Sequence, residues 1–132
     1  MAFARAMVHA YARYGKDPSK ALSQAQIAPD ALQATDARIT ASQMERLSGA
    51  AMRELDDEAL GWFSRRLPWG SYGMLVRASI SAPTLHLALS RWCRHHGLIA
   101  PDITLTLSTA GDTACITLTE NDLREDGVAG VF

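Results

Sequence analysis

The chain has 132 residues, 48% apolar and 20% charged, long enough for one domain with a buried core and too short for two ordinary ones. A formal net charge of −1 lacks the basic excess with which a protein grips a phosphate backbone, so direct nucleic-acid binding is not expected of it. No apolar run approaches a membrane span, no signal-peptide pattern opens the chain, and two cysteines make no disulfide framework; a cytoplasmic setting without a membrane partner is expected.

Phe3 to Tyr14 reads as a helix, with Phe3, Met7, Ala10, Tyr11 and Tyr14 near one side and Gly15 as its stop. Asp17-Pro18-Ser19 is a cap with Pro opening a second short helix through Ala21, Leu22 and Ala25. Ile27-Ala28-Pro29-Asp30 breaks it, and Asp30-Ala31-Leu32 forms a single turn. Thr40-Ala41-Ser42-Gln43 is a capping box, opening a helix to about Arg53 with Met44, Leu47, Ala51 and Leu55 inward. Asp56-Asp57-Glu58 reads as the acidic start of a further helix through Ala59, Leu60, Trp62 and Phe63, ending in Arg65-Arg66.

From Trp69 to Gly97 two helical patterns are broken by Ser81-Ala82-Pro83. Met74, Leu75 and Ala78 mark the inner side of the first, with Arg77 turned away. Leu85, Ala88, Leu89, Trp92, Cys93 and His96 mark that of the second, which Thr84 caps and Gly97 should end. The period then changes to two. Ile103, Leu105 and Leu107 alternate with Thr104, Thr106 and Ser108, and Ala114, Ile116 and Leu118 alternate with Cys115, Thr117 and Thr119. With Thr109-Ala110-Gly111-Asp112 as the turn this is a β-hairpin whose apolar side should sit on the helices. The stretch from Glu120 to Phe132 has no strong period. The fold class is therefore α+β: about five or six helices followed by a hairpin, the sheet completed by further chain or a second copy.

Gly70-Ser71-Tyr72-Gly73, Ser81-Ala82-Pro83-Thr84-Leu85 and Ala88-Leu89-Ser90-Arg91 together resemble the hallmark region of the arabinose-binding-type N-terminal domain of AraC-type transcriptional regulators. The likeness runs from about Ala21 to Thr119, and Trp69–Arg91 is its specific part. Leu87 departs from it, standing where the family often has a Glu that completes a capping box with the Thr. The resemblance implies one effector-sensing and association domain over 1–132, cut short on its C-terminal side and without the helix-turn-helix segment that would bind DNA. It implies a small-molecule effector and a homodimer, with DNA as a partner only through that absent segment.

Cys93 and His96 share a helix face, but His9, His86 and Cys115 have no ligand-type spacing to complete a metal site. Nucleophile elbows, phosphate loops and paired-carboxylate motifs are missing, so neither an enzyme nor a cofactor is expected. Rings are more suggestive: Trp62, Phe63, Trp69, Tyr72 and Trp92 fall close together in the chain. Phe63 and Trp92 read as core. Trp69 and Tyr72 flank glycines at a loop-to-helix junction, where rings often line a pocket. Trp62, Trp69 and Tyr72 with Arg65, Arg66 and Arg77 are thus the candidate effector contacts, an apolar pocket with a cationic rim suited to a small carboxylate or phosphate. The arginines alone read more readily as a solvated face. A helical protein-interaction module without a small ligand, and a Cys/His metalloprotein, are the alternative functions.

Overall fold

A computed structural model describes residues 1–121. It holds five helices, α1 (Ala2–Arg13), α2 (Ser19–Gln24), α3 (Ala41–Leu55), α4 (Ser71–Ile80) and α5 (Leu85–Ile99), a 3-10 turn over Pro29–Leu32, and an antiparallel hairpin of β1 (Ile103–Ala110) and β2 (Thr113–Glu120). The arrangement is α+β with an open two-stranded sheet. The sequence reading of the tail lies, beyond Asn121, outside the described residues.

α1, α2 and α3 pack into one buried cluster around Met7, Tyr11, Leu22, Leu47 and Leu55. Each of these helices ends in the same way. A residue in the left-handed region (Gly15, Gln26, Asp56) reverses the chain, and the next N–H bonds back to a carbonyl five residues earlier. The Thr40 box forms as read: Thr40 Oγ1 accepts the Gln43 N–H at 3.1 Å while Gln43 Oε1 accepts the Thr40 N–H at 3.0 Å. The Gln43 amide also donates to the Gln26 carbonyl at 2.9 Å, joining the start of α3 to the end of α2. On α1 the buried line begins at Ala4 and Phe3 faces outward, 54% exposed.

A second, smaller cluster of Ala59, Leu67 and Ala100, with Phe63, Tyr72 and Ile99 against it, joins the loop before α4 to the end of α5. α4 buries Leu75 and Ser79, not Met74 and Ala78. α5 buries Cys93 and His96, while Leu85 at its start is exposed. Thr84 Oγ1 accepts the Leu87 N–H at 3.2 Å, so α5 starts where expected. It runs through Gly97 to Ile99, because Ala100 is fully buried and its N–H bonds to the His96 carbonyl at 2.9 Å. That anchoring outweighs the roughly 1 kcal/mol that a mid-helix glycine costs.

The segment from Asp56 to Arg66 is not a helix. It is a looped run of turns in which Leu60 and Gly61 both take left-handed backbone angles. The hairpin register pairs Leu105 with Leu118 and Leu107 with Ile116, as the alternation implied. Its apolar side sits on the helices only in part: β1 packs on α5, with Ile103 buried and Leu105 and Leu107 half-buried, while Ile116 and Leu118 of β2 are 45% and 57% exposed.

Candidate functional site

Three consecutive carboxylates build the approach to α4. The Asp57 side chain is fully buried. Its Oδ1 accepts the Ala59 and Leu67 N–H groups at 3.0 and 2.9 Å, and its Oδ2 accepts the Gly61 N–H at 2.7 Å and the Tyr14 hydroxyl at 2.6 Å. One carboxylate thus closes the loop on itself and ties it to α1. Glu58 reaches forward: its Oε1 accepts from Gly70 N–H at 2.8 Å and its Oε2 from Tyr72 N–H at 2.7 Å. Those are free donors at a helix start, where the macrodipole also favours an anion. Asp56 Oδ1 accepts the Trp69 N–H at 2.9 Å. Glu58 therefore caps α4 across a loop, and the acidic triplet begins no helix of its own. Gly70, at φ +98, makes the turn into α4 that a side chain would strain.

Behind this junction stands an aromatic cluster. The Tyr72 ring stacks on Trp92 with centroids 6.1 Å apart and planes 17° from parallel. His96 lies 5.9 Å from the Tyr72 ring and meets Phe63 edge-on at 6.2 Å. The Tyr72 hydroxyl and His96 Nε2 approach to 3.4 Å. Burial, then the nearby Glu58 and Asp57 charges, push the Tyr72 phenol above its ordinary value. Burial pushes the His96 imidazole down, which keeps it neutral at neutral pH. His96 Nδ1 is buried without a hydrogen-bond partner among the described residues, as is Asp102 Oδ2, while Asp102 Oδ1 accepts the Ser64 N–H at 2.7 Å.

The six residues singled out from sequence fall into three places. Tyr72 belongs to the half-buried stack. Trp69 stands beside it, 49% exposed, with the Arg53 guanidinium 5.0 Å above its ring. Trp62 packs on the α1–α3 cluster, and Arg66 covers the Tyr14 ring at 4.5 Å. Arg65 and Arg77 are exposed, the Arg77 guanidinium lying back over Gly73. Phe63 and Trp92, read as core, are half-buried members of the stack. Reading the sequence alone missed Asp57, Glu58 and Arg53, and placed His96 on the inner side of α5 without joining it to Tyr72. The signal for the acidic pair was present in the triplet, but its partners lie far along the chain.

Two surface grooves lie outside the ring cluster, the first of them sharing Arg53 with this junction. One of about 450 Å³ is lined by Gln24, Ser42, Glu45, Arg46, Gly49, Ala50 and Arg53. The other, about 290 Å³, is lined by Arg5, Val8, His9, Ala12, Leu32 and Gln33. None of the six lines either. Among the described residues no group of three or more His, Cys, Asp and Glu is placed to hold a metal ion, and no helix is long and apolar enough to cross a membrane.

Helix cap, stacked rings and the Arg53 guanidinium thus meet at one junction. Residues 15–131 match the model of the arabinose-binding domain of AraC transcription regulators, N-terminal, and the chain belongs to that family. It is thus of a regulatory, ligand-binding kind. No curated protein and no solved structure matches the chain.

Proposed function

We propose that this chain senses a small-molecule effector and pairs with a second copy of itself within a bacterial, cytoplasmic regulator, so that effector binding changes how a helix-turn-helix segment of that regulator holds DNA. The observation that carries the reading is the family match over residues 15–131. A ligand acts in such a protein only by binding its two states unequally. The effector contacts are Trp69, Tyr72 and Trp62, with Arg65, Arg66 and Arg77 supplying positive charge; a small carboxylate or phosphate is the class that suits them. What supports this placement is the loop from Asp56 to Gly70. It carries Trp62, Arg65, Arg66 and Trp69, leads directly to Tyr72, and is held by hydrogen bonds that a ligand can reinforce or disturb.

The test is a thermal-shift measurement with small carboxylates and phosphates as probes. At least one should raise the unfolding midpoint, and Tyr72→Ala should abolish that shift while unfolding without ligand stays cooperative. A shift that survives unchanged in Tyr72→Ala contradicts the site.

A further inference from the structure

The two long edges of the hairpin differ. β1 runs beside α5, whereas β2 has no strand neighbour but β1 among the described residues. Every residue of β2 is exposed. The two-residue connection makes Ala110 and Thr113 a hydrogen-bonded pair, and bonding alternates along the ladder from there. The N–H and C=O groups of Thr113, Cys115, Thr117 and Thr119 therefore turn towards β1. Those of Ala114, Ile116, Leu118 and Glu120 turn outward, to an edge with no Lys, Arg or Pro, the residues that ordinarily keep an edge from pairing.

We propose that the β2 edge is where two copies of this chain pair, antiparallel about a twofold axis at Thr117, forming a four-stranded sheet. This rests on the self-association proposed above and adds its place and register.

Outward-bonding residues must oppose outward-bonding residues, so the axis has to pass through a residue. With the axis at Thr117, Ile116 faces Leu118 of the second copy and Ala114 faces Glu120, and every outward-bonding residue of β2 is paired. With the axis at Ile116, Glu120 falls opposite Asp112, a like-charge pairing that disfavours that register. The side chains agree with the first choice. Leu105, Leu118, Ile116 and Leu107 then form a continuous apolar row across both copies, and its symmetry mate repeats it. The apolar residues of β2 that α5 leaves open, Ile116 and Leu118, thereby lie side by side at the centre of one four-stranded face. On the opposite face, threonines of both copies meet at the axis without charge.

Asn121, the residue that follows β2, turns to β1. The Asn121 N–H bonds to the Asp102 carbonyl at 2.8 Å, and its side chain donates to the Pro101 carbonyl at 3.0 Å and to Thr104 Oγ1 at 2.6 Å. These bonds clasp the end of β2 onto the start of β1, away from the outer edge.

In this register the two copies of residue 117 form a non-hydrogen-bonded pair, with Cα atoms about 4.5 Å apart, within disulfide reach. The experiment is Thr117→Cys in a Cys115→Ser background, mildly oxidised, with Thr113→Cys in the same background as control and sedimentation of the unaltered chain alongside. A dimer by sedimentation, with covalent linking at 117 and none at 113, is the expected result. A dimer that fails to link at 117, or links equally at 113, overturns this edge and leaves self-association standing. A monomer at micromolar concentration overturns both. Should Thr117→Cys not fold, Thr117→Lys decides: opposed ammonium groups should weaken the dimer by about tenfold or more, and an unchanged dimer constant refutes the pairing.

Discussion

The Tyr14 hydroxyl donates to Asp57 Oδ2 at 2.6 Å, and through that bond the first helix holds the loop that sets the start of α4. The phenol is pushed above its ordinary value by burial and by its bond to Asp57, opposed by the Arg66 guanidinium over its ring. Gly61, whose N–H also meets Asp57, offers its carbonyl to Arg13, so α1 grips the loop from both sides. A loop with two adjacent left-handed residues keeps its shape because a fully buried carboxylate gathers its N–H groups.

Asp57→Ala should therefore be severe. It leaves three backbone donors and a phenol unsatisfied inside the loop, and a loss of roughly 2–5 kcal/mol is expected. Tyr14→Phe removes only the outer partner and should cost about 1 kcal/mol. Urea unfolding of both variants checks this; equal, small losses would show that the loop does not depend on Asp57.

Glu58→Ala strips the acceptor from the Gly70 and Tyr72 N–H groups. A stability loss of about 1–2 kcal/mol is expected, as for a lost helix cap. Because Tyr72 sits on that first turn and stacks on Trp92, the near-ultraviolet circular dichroism should weaken too. An unchanged aromatic signal would place the stack outside the control of Glu58.

His96 makes stability depend on pH. It is 3% exposed, and burial holds its imidazole below the ordinary 6.5, so near that pH the unfolded chain takes up a proton that the folded chain refuses. Protons then favour unfolding: this contribution is flat above neutral and stability falls as pH drops through 6.5. The urea midpoint should decline between about pH 7.5 and pH 5.5, above the range where most carboxylates titrate. His96→Gln should flatten that slope. A slope identical in the variant would trace the effect to another group.

The parts of this fold that are legible in the sequence are those whose partners lie within a turn or two. Thr40 with Gln43, Thr84 with Leu87, and the alternation of β1 and β2 are all such local arrangements. Asp56, Asp57 and Glu58 show why the rest was hidden. An acidic triplet before apolar residues matches a helix start, but Asp57 bonds back to Tyr14 and forward to Leu67, and Glu58 bonds forward to Tyr72. Contacts of that reach leave no period to read. The candidate site was legible in part: Trp69 and Tyr72 do stand at the loop-to-helix junction. The Arg53 guanidinium above Trp69 comes from α3, which sequence spacing does not connect to it. Nor did spacing foretell that α5 would run past Gly97, since the buried Ala100 that anchors its end owes its burial to the second cluster.

The proposed function requires that an effector bound by this chain alter DNA binding. The direct measurement joins the chain to a helix-turn-helix DNA-binding domain that requires dimerisation and titrates operator DNA at fixed salt, with and without a compound that raises the chain's unfolding midpoint. A change in DNA affinity of about fivefold or more is expected, matching a coupling of roughly 1–3 kcal/mol, and its loss in Tyr72→Ala. DNA affinity that stays the same at saturating compound would contradict it.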